Sequence, residues 1–489
     1  MELNDIVRSL ENKSILVTGS TGFLAKIFIE KVLRVQPNVK KLFLLIRATD
    51  INSAKQRLHD EVIEKELFRV LREKCGGDLN SFILEKVVPL PGDVLYENLG
   101  IQNREMMDDM WKTINIIVNV AANTKFDERY DVALDVNTFG SKNVLDFAKK
   151  CVKLEMLLHV STAYVCGEKS GVILENHLKM GEALNVKFGL DIQQEKMHLT
   201  EALNELKSLN ATEAEKRLAM KELGMKRARL YGWPNTYVFT KAMGEMIMGE
   251  LRGNLPLVVV RPTVVTCTYK EPFPGWIEGT RHIDILTVGY GKGKLTCFLT
   301  DPTLVLDVIP ADMVVNAMIV AMVTHANQTS QFIYHVASSL RNPFNPNVLT
   351  DYVFNYFSKN PVISKDGKPI KVKRPIILTS MDTFVTHMTV HYILPLKVFE
   401  FLNLLCCNYS RQWCTVTNMK ISLVMSLAEL YAPYIFFKGI FDDHNTERLR
   451  IATSTREAAT FYFDPTCIDW YDYFTKNHLP GVVKYNLKL

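Results

Sequence analysis

Through the first third of the chain, short runs of consecutive apolar residues alternate with stretches in which apolar residues recur at helical spacing. Ile15-Leu16-Val17 and Leu42-Phe43-Leu44-Leu45-Ile46 read as strands buried on both faces of a parallel sheet. Between them, Leu24, Ile27, Phe28 and Val32 suit one face of a packed helix, and residues 52–75 repeat that spacing at Leu58, Val62, Leu67, Val70 and Leu71. VVPLPGDV at 87–94 reads as a strand running into a loop. INIIVNVAANTKF at 114–126 reads as a strand that breaks at Ala121 and Ala122, and EMLLHVSTAYVCG at 155–167 as a further one, with the helix DVALDVNTFGSKNVLDFAKK between them. Strands alternating with helices predict an α/β fold, a right-handed, doubly wound parallel sheet whose ligands lie outside the carboxyl ends of the strands. Asp93, Val94, Ala121 and Ala122 fall at those ends and are candidates for the wall around an adenine and its ribose.

Residues 175–230 differ in kind. They are rich in Ala, Leu, Glu and Lys, and EALNELKSLNATEAEKRLAMKELGMKRARL has no proline, so the stretch reads as an inserted helical excursion with solvated charges. At 489 residues the chain is long for one domain, and about 150 residues per unit predicts two or three. Apolar residues at 47% can fill a large core, while a net charge of +5 is too small and dispersed to argue for nucleic acid. The nine cysteines lack finger-like Cys/His spacing, so no metal is expected, and most read as free buried thiols in a reducing compartment. Cys406, Cys407 and Cys414 cluster, and an apolar helix explains the first two. The short leader holding Glu2, Asp5 and Glu11 does not resemble a signal or transit peptide, which predicts cytosolic synthesis.

The first strand breaks into Gly, Ser and Thr before its helix. Gly19, Gly22 and Ala25 form G-x-x-G-x-x-A, small residues that let the backbone turn tightly, a diphosphate approach it, and the helix sit close on the strand. Gly19, Thr21, Gly22, Phe23 and Leu24 are therefore candidates for holding a dinucleotide at a helix N-terminus. The second strand ends at Arg47, where an NAD-preferring fold places an acid for the ribose 2′-hydroxyl; a guanidinium suits a 2′-phosphate, so NADPH is the expected cofactor. Further on, YVFTK places Tyr237 and Lys241 one helical turn apart. A cationic Lys241 lowers the phenol pKa from roughly 10, making Tyr237 a usable proton donor to a carbonyl that receives hydride. The hydroxyls of Ser161 and Thr162 can orient the same carbonyl.

With TGSTGFLAK, HVSTAYV and YVFTK in that order, the first two-thirds of the chain resembles the extended short-chain dehydrogenase/reductases. NTKFDERYDVALDVNTFG, RPTVV, PFPGWIEG, FDDHNTERLR and FYFDPTCIDWYDYF extend the resemblance over nearly the whole chain to the alcohol-forming fatty acyl-CoA reductases, particularly the plant branch. That resemblance implies a Rossmann-type NADPH-binding domain over 1–370, with its helical insertion at about 175–230, and a smaller, mainly helical domain over 371–489. It implies two successive NADPH-dependent reductions of a long-chain fatty acyl-CoA to a primary alcohol with release of CoA. Gly19, Gly22 and Ala25 match the nucleotide loop, Tyr237 and Lys241 the catalytic pair, and Thr162 the catalytic hydroxyl, with Ser161 as alternate. Asn137 falls where the extended family keeps an asparagine, here with a structural role, and Asn119 stands where many relatives have histidine. A direct hydride route needs no acyl-cysteine, although Cys166 and Cys267 are the available nucleophiles for a covalent one. A reductase that stops at the aldehyde, a related reductase of another apolar carbonyl and a catalytically silent lipid-associated scaffold are the other readings; the intact loop and Tyr-Lys pair argue against the scaffold.

The C-terminal third holds two apolar segments, 392–407 and 421–441, near the roughly 20 residues that span a bilayer. Pro395, Lys397 and Glu400 interrupt the first, and Glu429, Pro433 and Lys438 the second. Such segments suit core helices, or shallow insertion into one leaflet as a peripheral membrane protein. Family analogy implies the cytosolic face of the endoplasmic reticulum.

Overall fold

Seven parallel strands form the central sheet of the computed structural model, which describes residues 5–281, 283–405 and 410–487. In chain order they are β1 (Ser14–Thr18), β2 (Lys41–Ile46), β3 (Val87–Pro91), β4 (Ile116–Asn119), β5 (Met156–Val160), β6 (Leu257–Pro262) and β7 (Gln331–Val336). Across the sheet they run β3-β2-β1-β4-β5-β6-β7. Every residue of β1, β4, β5 and β6 is buried, as the unbroken apolar runs require of a sheet covered on both faces. The order reverses between β1 and β4, so the loops leaving those two strands diverge and open a crevice at their carboxyl ends. The first five strands stand where the apolar runs predict; β6 and β7 complete the sheet beyond them.

Helix α1 (Phe23–Val35) follows β1 and is buried along most of its length. The predicted helix at 52–75 is broken into Ile51–Leu58, a π-turn at His59–Ile63, a short 3-10 turn and Arg69–Cys75. The inserted stretch becomes helical only from residue 192, as α2 (Ile192–Ser208) and α3 (Glu213–Leu230). Its charges are not all solvated. Glu195 is fully buried and accepts from Tyr130 Oη at 2.7 Å, Arg227 Nε at 3.0 Å and Tyr231 Oη at 3.0 Å, so the excursion is fastened to the sheet domain by a satisfied carboxylate.

Helix α4 (Thr236–Leu251) starts at Asn235, whose side chain accepts from Val238 N–H, and twelve of its residues are buried. It lies close on the segment Leu134–Phe139, a π-turn between Tyr130–Ala133 and Gly140–Ala148. A Cβ on Gly244 would come within 2.2 Å of Asn137 O, which is why this face carries glycine.

The chain divides into two units that interleave along the sequence, whereas the sequence reading draws one boundary at 370. One takes in the chain to Glu278 and returns for Asp307–Asn342 and Ile440–Asp469. The other comprises Gly279–Leu306, Pro343–Gly439 and the chain from Trp470 onward. This second unit is mainly helical, with a core around Tyr290, Phe298, Phe357 and Leu479 and a second cluster around Phe384, Met388, Cys414 and Ile421. It includes α5 (Leu394–Leu405) and α6 (Arg411–Ile435). Cys406 and Cys407 lie outside the described residues; the cysteines within them are free thiols, and Cys414 is buried.

Candidate active site

The crevice between β1 and β4 is shaped by Gly19. Its φ of +66° is one that L side chains rarely adopt, and a Cβ there would meet the backbone of Ala121 at 2.8 Å. The first turn of α1 follows at once: Gly22 N–H donates to Gly19 O at 2.8 Å, and Gly22 is the N-cap with no side chain closing the helix end. A helix start of this kind suits an anion, and Thr21 and Leu24 are partly exposed beside it. Phe23 serves the loop from behind, buried and stacked on Trp276 at 5.2 Å.

Beyond the carboxyl ends of β2 and β3 lies a cavity of about 580 Å³ lined by Arg47, Asp50, Asp93, Tyr96, Gln102 and Asn103 among others. Arg47 is exposed there. Asp50 places a carboxylate on the same cavity, which the residues adjacent to Arg47 do not suggest, but that carboxylate caps its own helix, accepting from Asn52 and Ser53 N–H at 2.9 Å each. Of the four predicted wall residues, Asp93 lines this cavity. Val94 is instead a core residue packed toward Gly140, while Ala121 and Ala122 lie in the loop after β4. A glycine turn a Cβ would fill, an uncapped helix start and a cavity past the neighbouring strands fit a dinucleotide.

Tyr237 and Lys241 lie in the first turns of α4. The Tyr237 ring is partly buried and stacks on Phe126, centroids 5.9 Å apart. Lys241 is fully buried; its Nζ donates to Val160 O at 2.7 Å and stands 3.5 Å from His159 Nε2. Burial pushes the Lys241 ammonium down to about 8, against the opposing pull of Glu245. Immediately after Val160 come the two hydroxyls. Thr162 Oγ1 accepts from Tyr164 N–H and caps the turn Ala163–Cys166, whereas Ser161 Oγ is buried with no hydrogen-bond partner among the described residues. Both hydroxyls therefore keep a proton to donate, Thr162 from an oxygen held by the backbone and Ser161 from one that is not. Asn137 brackets the site: its Nδ2 donates to Asn123 O and Thr240 Oγ1, both at 3.0 Å, and its Oδ1 accepts from Asn123 N–H at 2.8 Å. Burial pushes the Cys166 thiol up to about 12, far from a thiolate nucleophile, and the Cys267 thiol is buried against Thr268 O.

His159 is a site neighbour that sequence reasoning misses. A single histidine in an apolar strand has no periodic signature; only the parallel register brings it beneath Lys241.

Two family models, both described as male sterility protein, match residues 17–318, the first of these being its NAD-binding domain, and residues 391–489. The chain is 52% identical over 490 residues to the alcohol-forming fatty acyl-CoA reductase of Simmondsia chinensis, covering 99% of each. It is 51% identical over 498 residues to fatty acyl-CoA reductase 1 of Arabidopsis thaliana, covering 100% of each. Among solved structures, the terminal R domain of the myxalamid PKS-NRPS pathway superposes with a TM-score of 0.56 at 15% identity, over 92% of this chain and 90% of that one. The reductase domain of a Mycobacterium tuberculosis non-ribosomal peptide synthetase superposes with a TM-score of 0.54 at 14% identity, over 100% and 96%. These two likenesses concern the fold.

Proposed function

Because the chain belongs to the male sterility protein family, which includes the fatty acyl-CoA reductases of plants, we propose that it reduces a long-chain fatty acyl-CoA to the primary alcohol in two hydride transfers through an aldehyde. Its cofactor is a nicotinamide dinucleotide, held by the Gly19–Gly22 turn and the start of α1. When bound, that cofactor supplies the hydride. The chain's own residues handle the oxygen that the hydride leaves behind. Tyr237 and Ser161, with Thr162 beside it, donate hydrogen bonds to that oxygen; Tyr237 gives up its phenolic proton only in the second reduction, and Lys241 then returns a proton to Tyr237. In the first reduction the tetrahedral oxyanion collapses and expels CoA as thiolate; in the second the alkoxide takes the Tyr237 proton and leaves as alcohol. No acyl-enzyme is involved, in keeping with the high thiol pKa at Cys166.

The observation that carries this reading is a buried lysine hydrogen-bonded at the end of β5, one turn beyond Tyr237 and beside the unpartnered Ser161 hydroxyl. Support for NADPH over NADH is the exposed Arg47 on the cavity beyond β2, with Asp50 engaged as a cap. The proposed place of work is the cytosolic face of the endoplasmic reticulum; the exposed apolar side chains on α5 and α6 support contact with a lipid surface, without bearing on which one.

Product analysis of the purified full chain with NADPH and a panel of acyl-CoA lengths tests the proposal. Alcohol is the expected product, with two cofactors oxidised per alcohol. Tyr237→Phe should lower the rate by about 10² to 10⁴, the usual worth of a positioned general acid, and leave cofactor binding nearly intact. Accumulated aldehyde or no product would refute it.

A further inference from the structure

Thr18, Asn119 and His159 occupy one cross-strand row of the sheet. The register pairs Thr18 of β1 with Asn119 of β4, and Asn119 with His159 of β5, beyond which the row turns apolar at Val259 of β6 and Ile333 of β7. All three polar side chains are buried, in a sheet whose other inner positions are almost entirely apolar. Each such group costs about 1–3 kcal/mol when left unpaired, so their pairing is the first thing to account for.

The pairing has a direction. Ala121 N–H donates to Thr18 Oγ1 at 3.2 Å, and the Thr18 hydroxyl donates onward to Asn119 Oδ1 at 2.6 Å. With its oxygen so engaged, Asn119 presents Nδ2 to His159 Nδ1 at 3.0 Å. Nδ2 is only a donor, so Nδ1 accepts, and the hydrogen of the neutral imidazole sits on Nε2. That N–H points at Lys241 Nζ. An ammonium cannot accept it, whereas a neutral amine can.

We propose that His159 is a positioning residue for proton transfer, its Nε2–H fixed by the Thr18–Asn119 row so that it hydrogen-bonds Lys241 once that side chain has given up its proton. The proposal rests on the catalytic reading of Tyr237 and Lys241 above. The protons balance over a turnover: Tyr237 gives its proton to the substrate oxygen, Lys241 gives one to the Tyr237 phenolate, the amine lone pair left on Lys241 accepts from His159, which itself transfers nothing, and a proton from solvent restores the ammonium before the next cycle. The row thereby makes Lys241 a better donor to Tyr237. It agrees with the lowered pKa of Lys241 and with a His159 imidazole held neutral by burial and by the Lys241 charge. The groups acting on Lys241 are few. Glu245, on its own helix, opposes the effect but is tied to Arg261 of β6, whose Nε donates to both carboxylate oxygens at 3.1 Å; Tyr237 stands one turn away, and His159 faces it from β5.

Two measurements on the full chain test this. Imidazole ¹⁵N spectra of histidine-labelled wild type without cofactor, with His159→Gln identifying the signal, should show His159 as the uncharged Nε2–H tautomer between about pH 6 and 9. An Nδ1–H tautomer or a charged ring would overturn the proposal. Second, on this proposal the alkaline limb of kcat follows loss of the Lys241 proton. His159→Gln places an amide oxygen within reach of the ammonium, favours the charged form and should carry that limb upward by about half to one pH unit. Thr18→Val, two strands away and uncharged, should let Asn119 turn over, populate both His159 tautomers and move the limb the same way, and Thr18→Ser should restore it. A limb that stays put in folded His159→Gln and Thr18→Val, with only melting temperature altered, would leave the row a structural feature and end the proposal. Lys241→Met separates the two readings: if it is inactive while the limbs do not move, the catalytic pair stands and this inference falls, and if it stays active, both fall.

Discussion

The proposed preference for NADPH rests on a single side chain, Arg47. A 2′-phosphate would take paired charge-assisted bonds from its guanidinium, each hydrogen bond to a charged group being worth about 1.5–3 kcal/mol. Arg47→Ala should therefore weaken NADPH binding by about ten- to a hundredfold and change NADH binding little, as read by titrating nucleotide fluorescence. Equal losses for both cofactors would show that Arg47 serves some other purpose. At this scale the sequence is most legible where chemistry demands one residue type at one spacing. Gly19 is such a position, because its φ and its approach to Ala121 admit nothing larger, and so are Tyr237 and Lys241, one turn apart. The difference between Ser161 and Thr162 is not legible, since only the fold shows that the backbone of Tyr164 engages the Thr162 oxygen and leaves that of Ser161 alone. Val94 sits at the end of a strand, as a ligand-wall residue would, yet faces the core; position along the chain does not fix which way a side chain turns.

At the level of elements, helix α4 is held to the π-turn segment by the absence of a side chain. Gly244→Ala would drive a Cβ to 2.2 Å from Asn137 O, a backbone atom that also accepts from Ser141 Oγ at 2.8 Å. Overpacking of this kind costs about 1–3 kcal/mol, and because Asn137 also ties the loop at Asn123 to Thr240, activity should fall along with the melting temperature. Gly249→Ala in the same helix is the matched control. Its Cβ would meet only the Gln331 side chain, at 2.9 Å, which can swing aside, so relief of the helical glycine should leave stability unchanged or raise it by up to about 1 kcal/mol. If both variants melted alike, close packing on Asn137 would not explain Gly244. The β1–β5 half of the sheet is readable from apolar runs because parallel strands buried on both faces leave no other pattern. The π-turns at His59–Ile63 and Leu134–Phe139 are not, since one extra residue in a turn hardly disturbs helical spacing. The interleaving of the two units is equally hidden, because no composition change marks the returns at Asp307 and Ile440.

The molecule as a whole must release a product that prefers lipid. Each CH₂ of a long-chain alcohol favours leaving water by about 0.8 kcal/mol, so the alcohol belongs in a bilayer once formed. No helix among the described residues is long and apolar enough to cross a membrane. Helix α5 nevertheless exposes Leu394, Val398, Phe399, Phe401, Leu402 and Leu404, and α6 exposes Trp413, Val416, Met419 and Leu423. Of the two candidate segments, 392–407 thus carries most of the exposed apolar surface, with its last two residues outside the described ones. The second contributes Leu423, but its Ile421 is buried and Phe441 is fully enclosed. Side chains of this size, with Lys397 and Lys420 close by, suit shallow insertion with the ammonium groups at the headgroups. The full chain expressed in cells should accordingly sediment with membranes, resist a high-salt wash because its anchorage is apolar, and be released by detergent. Phe401→Asp combined with Leu404→Asp should move it into the supernatant with its reductase activity on detergent-dispersed substrate retained, since neither side chain belongs to the site around Tyr237. Wild-type protein found wholly in the high-speed supernatant without detergent would mean that these exposed residues meet something other than lipid.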